Sequence, residues 1–295
     1  MNKLKMALLA ALALPTLNVV AEEKDMSSSE REEKLEEAKK SETDFAVSYN
    51  IGLFSQYIFR GYTQTHNDPA LQGGVDIEHS SGLYVGAWAS NISWLKESPW
   101  DAYTDGGSAE IDLYAGYASE IGETGISYDV GVLQYLYPGE VAAGYSKANT
   151  TEVHVGLGYG WFDTAVHVVT SNDAWTWGNG GFQTDGSGHE WDSARGTAYY
   201  ELNAEVPLGD LSDNKWLSGV SAKFHVGYQN FAGASNNSDS YGDWLFGLNK
   251  AFDNGVDVGY TFTGTDTRKG EGFWLKRDNT YLGDDNHTFY ITKSF

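Results

Sequence analysis

From Phe45 onward the chain alternates apolar with small or polar residues at a period of two, and that alternation limits the fold more than any other feature. In residues 45–59 the odd positions hold Phe45, Val47, Tyr49, Ile51, Leu53, Tyr57 and Phe59, while the even ones are chiefly Ala46, Ser48, Asn50, Gly52 and Gln56. Successive side chains of a β-strand point to opposite faces, so such a segment reads as a strand with one apolar and one polar face. The same pattern recurs in 70–79, 82–90, 110–118, 125–136, 151–159, 162–170, 197–206, 220–229, 242–250, 255–263 and 287–295, which makes twelve segments.

A soluble sandwich also alternates, so the connections decide. Those around Ser80-Ser81, Gly122-Glu123, Gly160-Trp161 and Asp253-Asn254 are tight, whereas those after the third, fifth, seventh, ninth and eleventh segments are long and rich in Asp, Asn, Gly and Trp. Short turns on one rim, long loops on the other and an even strand count are the layout of an outer-membrane barrel, and segments of nine or ten residues match its tilted crossing of a bilayer. Only Pro207 to Gly219 is long for the short-turn side. The expected fold is therefore all-β: a 12-stranded antiparallel transmembrane β-barrel over residues 44–295, with both termini in the periplasm. Tyr57, Phe59, Trp94 and Trp244 near one end of their strands, and Tyr159, Trp161 and Phe162 near the other, are expected to form aromatic girdles.

Composition narrows the partners. Beyond the first twenty residues no apolar run is long enough for a membrane helix. There is no cysteine, hence no disulfide framework or thiolate metal site. A formal charge of -22 disfavours nucleic acid, which demands clustered Lys and Arg. Residues 1–21 read as an export signal, with basic Lys3 and Lys5, an apolar stretch from Met6 to Leu14 and a Val19-Val20-Ala21 end. Residues 22–43 are dense in Glu and Lys without an apolar face, and are expected to be a solvated arm, helical or disordered.

A resemblance sharpens the reading. The run Ser55-Gln56-Tyr57-Ile58-Phe59-Arg60-Gly61, the stretch from Pro69 through Gly73-Gly74 to Asp76, and Ser81-Gly82-Leu83-Tyr84-Val85-Gly86-Ala87-Trp88-Ala89-Ser90-Asn91 are similar to the TorF-type porin family of proteobacteria. The strand layout and the terminal Phe295 extend the likeness, although Lys293 departs from the aromatic or apolar residue common third from the end of such barrels. The resemblance implies a porin in the outer membrane of a Gram-negative bacterium. It brings no substrate and no catalytic residues.

Strand parity assigns the lumen. Asp76, Glu78, Glu110, Asp112, Asp129, Glu152, Asp163, Glu201, Glu205, Asp243 and Asp257 face inward, with Lys223 and Arg60 as the cations among them. Inward glycines such as Gly52, Gly116, Gly131, Gly227 and Gly259 are expected to leave space, and twelve strands lie between a filled and an open barrel. An acidic constriction concentrates cations and repels anions, so the expected function is passive diffusion of small solutes or ions through a narrow, cation-preferring lumen. Long loops folded inward would plug it instead. Arg60 is expected to clamp an inward acid such as Asp76.

Other classes leave weaker marks. The sequence contains no nucleophile elbow, phosphate loop or HExxH motif, and no catalytic residue or cofactor is expected. His154 and His167 fall opposite each other with Glu152 nearby, a donor set that Zn²⁺ or Ni²⁺ accepts, yet a cross-strand His pair in a polar lumen requires no metal and none is expected. The alternative function is a non-conducting barrel that binds partners through its loops, with Trp175, Trp177 and Trp191 in 171–195 and Trp274 and Tyr281 in 264–286. Expected partners are outer-membrane lipid and lipopolysaccharide and small solutes or cations; a homo-oligomer through flat apolar or small-residue patches is left open.

Overall fold

A computed structural model of the chain describes residues 44–97, 101–143, 145–178, 193–212, 214–233, 240–267 and 281–295. The export signal, the charged arm, Trp191, Trp274, Lys276 and Arg277 lie outside the described residues. Twelve strands close into one antiparallel barrel. They are β1 (Phe45–Phe54), β2 (Ala70–His79), β3 (Leu83–Asn91), β4 (Ala109–Glu120), β5 (Ile126–Leu136) and β6 (Thr150–Tyr159). The second half is β7 (Phe162–Val169), β8 (Ala198–Pro207), β9 (Val220–Asn230), β10 (Tyr241–Ala251), β11 (Val256–Thr265) and β12 (Asn286–Ser294). Each strand pairs with its neighbours in sequence, and β1 meets β12 from Asn50↔Ser294 to Phe54↔Tyr290. Following the pairs once round returns to β1 about 16 residues along; for twelve strands that gives a tilt of about 45° and a backbone radius of roughly 12 Å.

The two faces of the wall differ as the alternation requires. Val47, Ile51, Leu71, Val85, Val155, Leu157, Leu202, Val226 and Ile291 stand exposed on the outside. The inner face carries Asp76, Asp112, Asp129, Glu152, Glu201 and Asp243 together with Trp88, Tyr114, Tyr135 and Tyr199, all buried. The barrel is thus apolar outside and mixed polar and aromatic inside. Its core is the contents of the lumen. Tyr159, Trp161 and Phe162 are exposed around the tight turn between β6 and β7. At the long-loop end the outer aromatics are Tyr200, Tyr228 and Trp244, the first two directly paired and Trp244 lying against Phe262.

The first strand departs from its expected course. β1 stops at Phe54, because residues 55–63 turn into the lumen and form a small hairpin pairing Ile58 with Thr63 and Phe59 with Tyr62. Tyr57 and Phe59 therefore belong to the interior and not to a girdle. Tyr57 is 3% exposed, and its hydroxyl donates to Glu110 Oε1 at 2.7 Å, an acceptor that lipid does not offer. Trp94 likewise packs into the interior cluster, edge-on to Tyr137. The long 208–219 connection contains two 3₁₀ turns, Leu208–Leu211 and Lys215–Leu217, the second capped by the Asn214 side chain.

The inward glycines do not leave open space. A side chain at Gly116 would strike the Tyr84 ring, one at Gly227 the Tyr199 hydroxyl, and one at Gly259 the Tyr290 ring. Each glycine is the floor on which a tyrosine from an adjacent strand lies down. This cross-strand arrangement lays those rings flat along the wall of the barrel.

Candidate functional site

The thirteen residues expected in the lumen lie on or above its inner surface, but at different depths and with different partners. Nearest the short-turn rim, Glu78, Asp163, Glu205, Lys223 and Asp257 are half-buried. Glu205 accepts from Ser221 at 2.6 Å and lies 3.8 Å from Lys223, Asp163 accepts from Asn203 at 2.8 Å, and Asp257 accepts from Asn249 at 2.9 Å. This end is polar and in contact with water.

Deeper in, the carboxylates are held by tyrosines and histidines. Asp76 accepts from the Tyr114 hydroxyl, and Asp129 from Tyr84 and the His154 imidazole. His167 Nε2 sits 3.0 Å from Glu201 Oε1. His225 bridges Asp243 at 3.0 Å and the Asn203 side-chain oxygen at 2.6 Å, and Tyr199 donates to Asp243 at 3.0 Å. His154 and His167 are registered opposite each other with ring centroids 5.5 Å apart, and each turns to its own acid. Glu152 is engaged elsewhere, and among the described residues no cluster of three or more potential ligands gathers in a metal-binding arrangement.

The centre of the long-loop half is Arg60. It stands at the tip of the inward hairpin, where Arg60 and Gly61 have φ of 46° and 83°, both in the left-handed region that a two-residue primed turn requires. The hairpin crosses from the β1–β2 side to the opposite wall. There the guanidinium donates from Nη1 to Glu152 Oε1 at 3.0 Å and to Gln229 at 2.9 Å, and from Nη2 to Glu152 Oε2 at 2.9 Å. Tyr135 donates to Glu152 at 2.9 Å, and the guanidinium carbon lies 4.2 Å from the Tyr199 ring centre and 5.4 Å from that of Trp175. The Tyr241 hydroxyl holds the Arg60 carbonyl at 3.0 Å. The side chains of Arg60 and Glu152 are 6% and 0% exposed. Burial alone would lower the arginine's pKa, but the adjacent Glu152 carboxylate, its hydrogen bonds and the neighbouring Tyr135 and Tyr199 together more than offset it, so the guanidinium holds its proton more tightly than usual. Burial, and then the charge of Glu110, push the Tyr57 phenol well above its ordinary range and keep it a donor.

The expected Arg60–Asp76 clamp is not formed. Asp76 lies in the seventh position of β2, toward the short-turn rim, and is taken by Tyr114, whereas the hairpin carries Arg60 away from β2 to β6 and β9. Trp175, one of the loop tryptophans, packs inward against Phe59 and Tyr135 and is not displayed outward. One acid is left over. Asp112, between Trp88 on β3 and Tyr135 on β5, is 0% exposed, and neither carboxylate oxygen has a hydrogen-bond partner among the described residues.

Sequence reasoning passed over Tyr135, Tyr199, Gln229 and the histidines as partners for these acids. A signal for the hairpin was present: an X-Gly pair flanked by Ile58-Phe59 and Tyr62-Thr63 is the pattern of a two-residue turn.

Among solved structures, the chain is similar in shape to the KdgM porin (TM-score 0.46, 6% identity, covering 84% of this chain and 99% of that one). It is similar to the NanC porin (0.45, 11%, 85% and 99%) and to OprD of Pseudomonas aeruginosa (0.36, 10%, 84% and 66%). These are loose likenesses, and the barrel assignment stands on the strand pairing itself. A comparison with curated protein sequences gives no match. The profile of a family described as "Bacterial protein of unknown function (Gcw_chp)" matches residues 38–295, the whole barrel and the end of the preceding arm, and the chain belongs to that family.

Proposed function

We propose that the protein is an outer-membrane channel of the porin type, passive and cation-preferring, with its short turns and termini in the periplasm and its long-loop half kept narrow by the 55–63 hairpin. The observation that carries this reading is the reversal of faces. Exposed Val, Leu and Ile cover the outside of a closed ring, while the carboxylates lie within. Such an exterior suits the hydrocarbon of a bilayer, where a closed barrel leaves no backbone group unpaired. The TorF-type likeness of residues 55–91 agrees with it. Half-buried Glu78, Asp163, Glu205 and Asp257 outnumber Lys223 in their group at the short-turn rim, an acidic vestibule that attracts cations.

Single-channel recording of the purified protein in a planar bilayer under a salt gradient tests this. Discrete steps with a cation-selective reversal potential are expected. Neutralising Asp129, Glu201, Glu205 and Asp243 together should reduce that preference, and altering Lys276 or Arg277 should change it little. A folded barrel that stays silent even after its hairpin is removed would defeat the channel reading.

A further inference from the structure

The most completely built feature of the lumen is the set of groups around a guanidinium that does not belong to the wall. Glu152 on β6, Gln229 on β9, Tyr135 on β5 and Tyr199 on β8 all come from the ring, whereas Arg60 reaches them on a hairpin from the far side, 92 residues from Glu152 and 169 from Gln229 in sequence. The contact is specific for the planar fork. Two parallel N–H···O bonds go to one carboxylate, a third goes to an amide oxygen, and an aromatic face lies at 4.2 Å. Glu152 is oriented independently of the arginine by the Tyr135 hydroxyl. The wall is therefore a preorganised receptor, and Arg60 is its resident ligand.

We propose that this wall is a binding site for solutes bearing a guanidinium group, and that Arg60 occupies it as an internal stand-in. A solute of that class takes the place of Arg60 on Glu152, Gln229 and Tyr199, and in doing so frees the Arg60 side chain from the wall. An ammonium group is a poorer competitor, because it is a point charge that does not match the two carboxylate oxygens and the Gln229 oxygen at once. This inference rests on the channel reading for its physiological sense, but binding itself is measured without a membrane.

The test uses the full-length mature barrel, refolded in detergent and checked by its heat-modifiable mobility on gels. Isothermal titration calorimetry compares methylguanidinium with methylammonium on the wild type, on Arg60→Ala and on Arg60→Ala combined with Glu152→Gln. The vacated site of Arg60→Ala should bind methylguanidinium at least tenfold more tightly than the wild type does, and at least tenfold more tightly than it binds methylammonium. Adding Glu152→Gln should remove that advantage. Should Arg60→Ala not fold, Arg60→Lys keeps a charge at the tip without the fork, and methylguanidinium should displace it more readily than it displaces arginine. Equal affinity for the two cations, or binding indifferent to Glu152→Gln, would overturn the site. A variant that binds methylguanidinium yet never conducts keeps the site and defeats the channel, and a channel without the guanidinium preference does the reverse.

Discussion

Arg60 and Glu152 form an ion pair out of reach of water, and at that depth losing one partner matters more than forming the pair gains. Removing the arginine strands a buried carboxylate, at a cost of about 3–5 kcal/mol where nothing replaces it. Arg60→Ala without added guanidinium should therefore unfold at markedly lower denaturant concentration, whereas Arg60→Ala with Glu152→Gln should recover part of the loss; urea titration followed by tryptophan fluorescence checks both. Asp112 gives the opposite expectation. Its carboxylate is buried and neither oxygen is bonded among the described residues, so against them it contributes desolvation and no compensating contact. Asp112→Asn should raise the unfolding midpoint, and a fall would mean that the carboxylate has an attractive partner after all.

At the level of elements, the hairpin separates what the sequence displays from what it conceals. The eleven later strands are legible because their outer faces all meet one kind of surroundings, so a strict alternation marks each of them. In residues 55–59 the alternation continues through Tyr57 and Phe59, but the faces it marks are the two sides of a segment inside the lumen. Period two reports that a chain is extended and two-faced; it does not report which medium each face meets. The inward position of Asp76, Asp112, Glu152 and Asp243 follows from parity along single strands. The choice of Glu152 over Asp76 by Arg60 follows from where a loop lands across the ring, and no local pattern encodes that distance. Arg60→Asn isolates the element, since Asn suits the first position of the primed turn but cannot reach Glu152 and Gln229. It should leave the barrel folded and raise single-channel conductance above wild type, as recorded in planar bilayers.

For the whole molecule, the decisive property is which way its faces point. Val155 is exposed on the outside of β6, midway along the strand. Val155→Arg should cost about 2–4 kcal/mol in lipid, as expected for a cation near the bilayer midplane, and far less in a soluble assembly. Unfolding in lipid vesicles compared with unfolding in detergent reads the difference. The closure between β1 and β12 has a further consequence. That join is registered over five residue pairs, from Asn50↔Ser294 to Phe54↔Tyr290, while the first part of β1 has a ladder partner on β2 alone. The seam is the one place where neighbouring strands stand at opposite ends of the chain, and it is also the shortest ladder in the ring. Without β12 both β1 and β11 keep a raw edge, so a chain stopped short of it forfeits the ring, not a twelfth of it.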